Sequence, residues 1–173
     1  FPGFDTLGTL EHIARTGHDH TWFLLDQKII EKEFSLSGSE QNPDLTGRDV
    51  RLLLQRIRSG APGPVDAFMR RGVDFVVRDN LADLVAGMNE LTPDTPLDYE
   101  RVRSVVESRD REMTNKFTKD LQVVAMRAAR AYKPDRIARI ASPHRILDPK
   151  AGPLVAVKLH LLTRKTLGGL ETD

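Results

Sequence analysis

Residues 154–162, Leu-Val-Ala-Val-Lys-Leu-His-Leu-Leu, constrain the fold most. The nine-residue apolar run follows Pro153, ends at a basic patch and reads as a strand. As a strand it places Val155, Val157, Leu159 and Leu161 on one side and Ala156, Lys158, His160 and Leu162 on the other. A strand of this length needs neighbours for its backbone groups. The other candidate strands look short, so the run is expected to belong to a sheet that this chain does not fully contain. An edge left unpaired would recruit a second copy.

The rest of the chain reads mostly as helix. Leu7, Leu10, Ile13 and Ala14 have helical spacing, and Gly17 suits the end of that helix. Residues 21–25 form a short apolar strand closed by Asp26, and residues 27–34 a helical excursion. Thr46 caps a helix carrying Val50, Leu53, Leu54 and Ile57, and Pro64 opens another with Val65, Phe68 and Met69. Residues 73–77 predict a strand. Asn80 then caps a helix with Leu81, Leu84, Val85 and Met88. Asp98 caps the next, with Leu97 and Val102 placed as a hydrophobic staple. The helical pattern continues from Arg111 to Tyr132, and residues 142–152 predict irregular chain. The class is α+β with helix dominant.

Composition narrows the function classes. The chain has 173 residues and a net charge of +1, so no global field points to nucleic acid. The same balance gives no global field toward an anionic membrane. The chain has no cysteine, hence no disulfide, thiol nucleophile or thiolate metal site. That fits the cytoplasm. No apolar stretch approaches the roughly 20 residues that a spanning helix needs. The first residues, Phe-Pro-Gly-Phe, and the last, Leu-Glu-Thr-Asp, suggest a piece of a longer protein.

Several residue groups are candidates for chemistry. Thr163-Arg164-Lys165-Thr166-Leu167-Gly168-Gly169 combines cations, a hydroxyl and two glycines, a set that can hold an anion or form a plain basic turn. His18-Asp19-His20 offers at most two metal ligands with no third marked, so no metal site is expected. His160 lies within the long strand, as a functional imidazole or a hydrogen-bonded histidine at a sheet margin. Arg48, Arg51, Arg56 and Arg58 read as a solvated helix face. No GxGxxG, Walker, GxSxG or HExxH motif occurs.

Residues 152–173, GPLVAVKLHLLTRKTLGGLETD, resemble the strand-to-flavin segment of the fumarate reductase and 3-ketosteroid dehydrogenase flavoproteins. That family shows a strand, then a turn ending in Thr-x-Gly-Gly, then an apolar residue and an acid or Asn; here these are Thr166, Gly168, Gly169, Leu170 and Glu171. Upstream, residues 21–27, 73–88 and 96–108 resemble the family's other elements in order. The resemblance implies an FAD-dependent dehydrogenase that transfers a hydride between flavin and an organic substrate. Residues 1–150 would form the substrate-capping domain. Residues 151–173 would return to the FAD-binding domain of the same polypeptide, the last strand joining its sheet. By the same likeness, Arg164 would be catalytic and, with His160 and Lys165, substrate-binding. Thr166, Gly168 and Gly169 would approach the FAD. The dinucleotide fingerprint is absent, so this chain alone is expected neither to bind FAD tightly nor to act as an enzyme.

Departures from the family pattern are specific. Val155 stands where ketosteroid dehydrogenases carry a functional Tyr. Asp5 falls near the catalytic Arg position of fumarate reductases, and Arg164-Lys165 replace their His-His pair. The alternative class is a non-catalytic helical interaction module.

Overall fold

The computed structural model describes residues 6–33, 61, 63–133 and 141–161. Contacts divide the chain into two units, residues 1–23 with 158–173, and residues 24–157.

In the first unit, α1 (Thr6–Thr16) buries Ile13. The Thr16 hydroxyl donates to the Ile13 carbonyl at 2.7 Å, and Gly17 leaves the helix at φ +75°. A left-handed residue at this point closes a helix without a Cβ penalty.

A three-stranded sheet of order β1–β3–β2 is formed by β1 (His20–Asp26), β2 (Phe75–Arg78) and β3 (Leu154–His160). β2 and β3 are antiparallel, with Val77 opposite Val155 and Val76 opposite Ala156. The period of two sorts these pairs onto opposite faces. On one face, Val155, Val77, Val157 and Phe75 pack with Leu25, with Ile29 and Ile30 of α2 (Gln27–Glu33), and with Val65 and Met69 of α3 (Gly63–Arg71). On the other, Val76 meets α4 (Leu81–Leu91), where a Cβ on Gly87 would lie 2.6 Å from Val76 Cγ1. Helices cover both faces, which is why Leu154, Val155 and Ala156 are all buried without alternation.

This corrects the expectation that the long strand would be exposed or would pair with a second copy. β3 is the central strand and finds both neighbours in this chain. The shortness of β1 and β2 concealed that they flank it.

Caps set the helix boundaries. Asn80 Oδ1 accepts from the Asp83 amide while Asn80 Nδ2 donates to the Asp83 carboxylate, opening α4. The Asn89 side chain brackets Leu97, donating to its carbonyl and accepting from its amide, which ties the proline-rich link back onto α4. Asp98 accepts from the Arg101 amide and starts α5 (Tyr99–Thr114).

The uninterrupted helical pattern from Arg111 to Tyr132 is not realised. α5 stops at Asn115, and Asp120 opens a separate α6 (Leu121–Ala131) by accepting from the Val123 amide. Asn and Asp side chains compete for backbone amides in this way, so two of them five residues apart outweigh the apolar period. The helix expected from Thr46 lies outside the described residues.

Candidate functional site

His160 is the last residue of β3 and is exposed. Arg164, Lys165, Thr166, Gly168 and Gly169 lie outside the described residues. Val155, which the family likeness sets against a functional Tyr, is fully buried in the core.

The His18-Asp19-His20 loop makes a local pair. Asp19 Oδ1 lies 2.7 Å from His20 Nδ1, and the His20 ring meets Trp22 edge-on at 6.2 Å. The hydrogen bond to His20 holds the Asp19 carboxyl below the usual carboxylate range, with smaller help from the charges of His20 and Lys158. No group of three metal-ligating side chains occurs among the described residues.

The most developed polar arrangement lies at the end of β1. Asp26 is fully buried, and its Oδ1 accepts from the Ile29 amide at 2.9 Å, capping α2. Its Oδ2 is 2.7 Å from His144 Nε2, while His144 Nδ1 is 2.7 Å from the Ser142 carbonyl. A carbonyl only accepts, so His144 donates from Nδ1. With Nε2 against Asp26 and Nδ1 against Ser142, both ring nitrogens of His144 are engaged within the chain.

A second acid holds the same segment. Asp110 on α5 accepts from the Ile146 and Leu147 amides, each at 2.8 Å. Arg109 donates to Asp110 at 2.9 Å and to the His144 carbonyl at 2.7 Å. Residues 142–148 are therefore fastened to β1 through Asp26 and to α5 through Asp110. Between α5 and this segment is an open cleft of about 270 Å³, lined by Glu107, Asp110, Arg111, Thr114, Arg145 and Leu147.

This network is a fastener and not a catalytic dyad. Both nitrogens of His144 are engaged internally, and the oxygens of Asp110 accept backbone amides, so neither group has an atom left for substrate. Sequence reasoning marked Asp26 only as the close of a strand and did not single out Asp110 or His144. Nothing local marks them, because Asp110 sits in a charged helix and finds Ile146 at a separation of 36 residues.

Comparison with known proteins supplies what geometry alone does not. The whole chain is 65% identical to a KsdD-like steroid dehydrogenase of Mycolicibacterium smegmatis, covering 32% of that protein. It is also 65% identical to a protein of the same kind from Mycobacterium tuberculosis, covering 31%. Over its whole length, this chain is therefore similar to one stretch of proteins named KsdD-like steroid dehydrogenases. The family likeness carried by residues 152–173 is thereby borne out. The chain spans about a third of the length of these relatives. No protein-family model and no solved structure matches it.

Proposed function

We propose that this chain forms the substrate-side part of an FAD-dependent steroid dehydrogenase. The supporting observation is 65% identity along the whole chain to proteins named KsdD-like steroid dehydrogenases. A bound flavin would supply the hydride acceptor or donor. Residues 1–150 cap the substrate, and residues 151–173 lead to the FAD-binding domain of a longer cytoplasmic protein.

Within this reading, Arg164 faces the substrate and stabilises negative charge developing there, as a fixed guanidinium suits that task. His160 and Lys165 bind substrate beside it. Thr166, Gly168 and Gly169 approach the flavin. The described residues offer no flavin cradle. Gly152, at φ +84°, is the kind of position a cofactor can approach, but Gln27 Cβ already lies 2.9 Å from where its Cβ would be. Buried Val155 has no proton to give, so proton transfer falls to another group.

The test uses a protein of the relatives' full length. It is expected to purify yellow, and its flavin absorbance to bleach anaerobically with a ketosteroid. Bleaching by none of a ketosteroid panel would reject the substrate class. A colourless protein that no added FAD binds would reject the flavoenzyme reading in favour of an interaction module.

A further inference from the structure

The break between α5 and α6 builds a rigid tip that displays an aromatic ring to solvent. Phe117 is 90% exposed. Its backbone is nonetheless held, because its amide donates to Asn115 Oδ1 at 2.9 Å and the Thr118 amide to the Asn115 carbonyl. Arg127 of α6 reaches back and donates to the Asn115 and Met113 carbonyls at 2.9 and 3.0 Å. A phenyl ring fixed in water is unfavourable by its apolar area, so its display calls for an apolar counterpart.

An apolar stripe continues along α6. Leu121 (60% exposed), Val124, Ala128 and the capping Tyr132 (65% exposed) recur at intervals of three, four and four, the spacing of one helix face. Val123, off that face, is fully buried and anchors the helix.

Charge frames the same segment. Residues 113–133 hold five basic residues (Lys116, Lys119, Arg127, Arg130, Lys133) and one acid, Asp120, a local net of +4 in a chain whose total is +1. The Asp120 carboxylate is occupied as the α6 cap. Among the described residues no carboxylate pairs with Lys116, Lys119, Arg127 or Lys133. Lys116 and Lys119 are exposed on either side of Phe117.

We propose that the Phe117 tip and the exposed stripe of α6 form a docking face for an anionic lipid surface. Exposed aromatic and aliphatic residues edged by lysines, on a helix lacking acids, are the pattern of an interfacial segment lying in the headgroup region. A projecting ring needs no matching pocket in a bilayer, whereas a folded partner would have to supply one. No helix among the described residues is long and apolar enough to cross a membrane, so the contact is peripheral.

The test is co-sedimentation of this chain with vesicles of zwitterionic phospholipid alone and of a zwitterionic–anionic mixture. Binding is expected to the mixture only, and to fall as salt screens the lysines. A surface lysine contributes about fivefold to such partitioning, so Lys116→Ala with Lys119→Ala should weaken it about thirtyfold. Phe117→Ala should weaken it too. Both variants should keep the wild-type circular dichroism, because these side chains are exposed. Lys28→Ala with Lys150→Ala, which also removes two charges but away from this face, serves as the control and should bind like wild type. No binding to the anionic vesicles, or binding that the double lysine variant leaves intact, overturns the proposal. Phe117-dependent dimerisation in sedimentation velocity, with no vesicle binding, assigns the face to a second copy instead and overturns it as well.

Discussion

His144 Nε2 lies 2.7 Å from Asp26 Oδ2, joining residues 118 apart in sequence. Asp26 is fully buried, and among the described residues His144 is the only side chain that hydrogen-bonds to it. Removing one member of a buried pair leaves the other charge uncompensated. His144→Ala is therefore expected to lower stability by about 3–5 kcal/mol. Asp26→Asn should cost less, because its amide oxygen still accepts from Ile29 and its NH2 can donate to His144 Nε2, whereas His144→Ala leaves the buried Oδ2 without a partner. Urea unfolding midpoints of the two variants test this order, and equal losses would contradict it.

Asp110 fastens the same segment from α5, through the Ile146 and Leu147 amides. Hydrogen bonds to a charged group are worth about 1.5–3 kcal/mol each. Asp110→Ala should accelerate amide hydrogen exchange at Ile146 and Leu147 while leaving exchange in α4 near its wild-type rate. Uniform acceleration across the chain would mean that Asp110 supports global stability only.

These fastenings show where the sequence was legible. Asn80, Asp98 and Gly17 announce helix ends because caps act over two or three residues, and each is found as read. The placing of β3 was not legible. Its run of Leu154, Val155 and Ala156 shows that the strand is buried, yet a local pattern does not say which strands bury it. The Asp26–His144 and Asp110–Ile146 bonds were invisible for the same reason. Each depends on a loop closure that no short window of sequence encodes. For residues Arg164 to Gly169, composition left an anion site and a plain basic turn open, and the proposal of a site rests on the family's Thr-x-Gly-Gly spacing.

Val155 invites a direct test of the family difference. Val155→Tyr would restore the residue type of the ketosteroid dehydrogenases, but at a fully buried position packed on Leu25, Ile30 and Val65. Overpacking costs about 1–3 kcal/mol, and a buried hydroxyl without a partner adds to it. The variant should melt earlier than wild type. An unchanged melting temperature would show that the core can yield a ring-sized space there.

Asp19 gives a pH dependence of known sign. Its carboxyl, held low first by the hydrogen bond to His20, releases its proton more readily folded than unfolded. The contribution is therefore present above the ordinary Asp value near pH 4 and is lost as pH falls through the lowered folded value. Asp19→Asn should be slightly less stable than wild type near neutrality, and the gap should close in acid. Denaturant midpoints across that range test it. A gap that widens toward low pH would contradict the assignment.

The last prediction concerns the proposed site itself. In a full-length, flavin-loaded protein, Arg164→Ala is expected to slow flavin reduction by substrate far more than it lowers the melting temperature. The reasoning rests on the family likeness, which sets Arg164 at a substrate-facing position three residues before Leu167-Gly168-Gly169. A fixed cation there would act on charge that develops only as the hydride moves, so its loss would appear in the rate of the chemical step. Loss of one such donor typically raises the barrier by about 2.7–4 kcal/mol, or about a hundredfold to a thousandfold in rate. Arg164→Lys keeps the charge but not the planar fork, and should recover part of the rate. Stopped-flow reduction under anaerobic conditions separates the cases. Wild-type reduction by Arg164→Ala, together with a much lower melting temperature, would make the residue structural and remove it from the site.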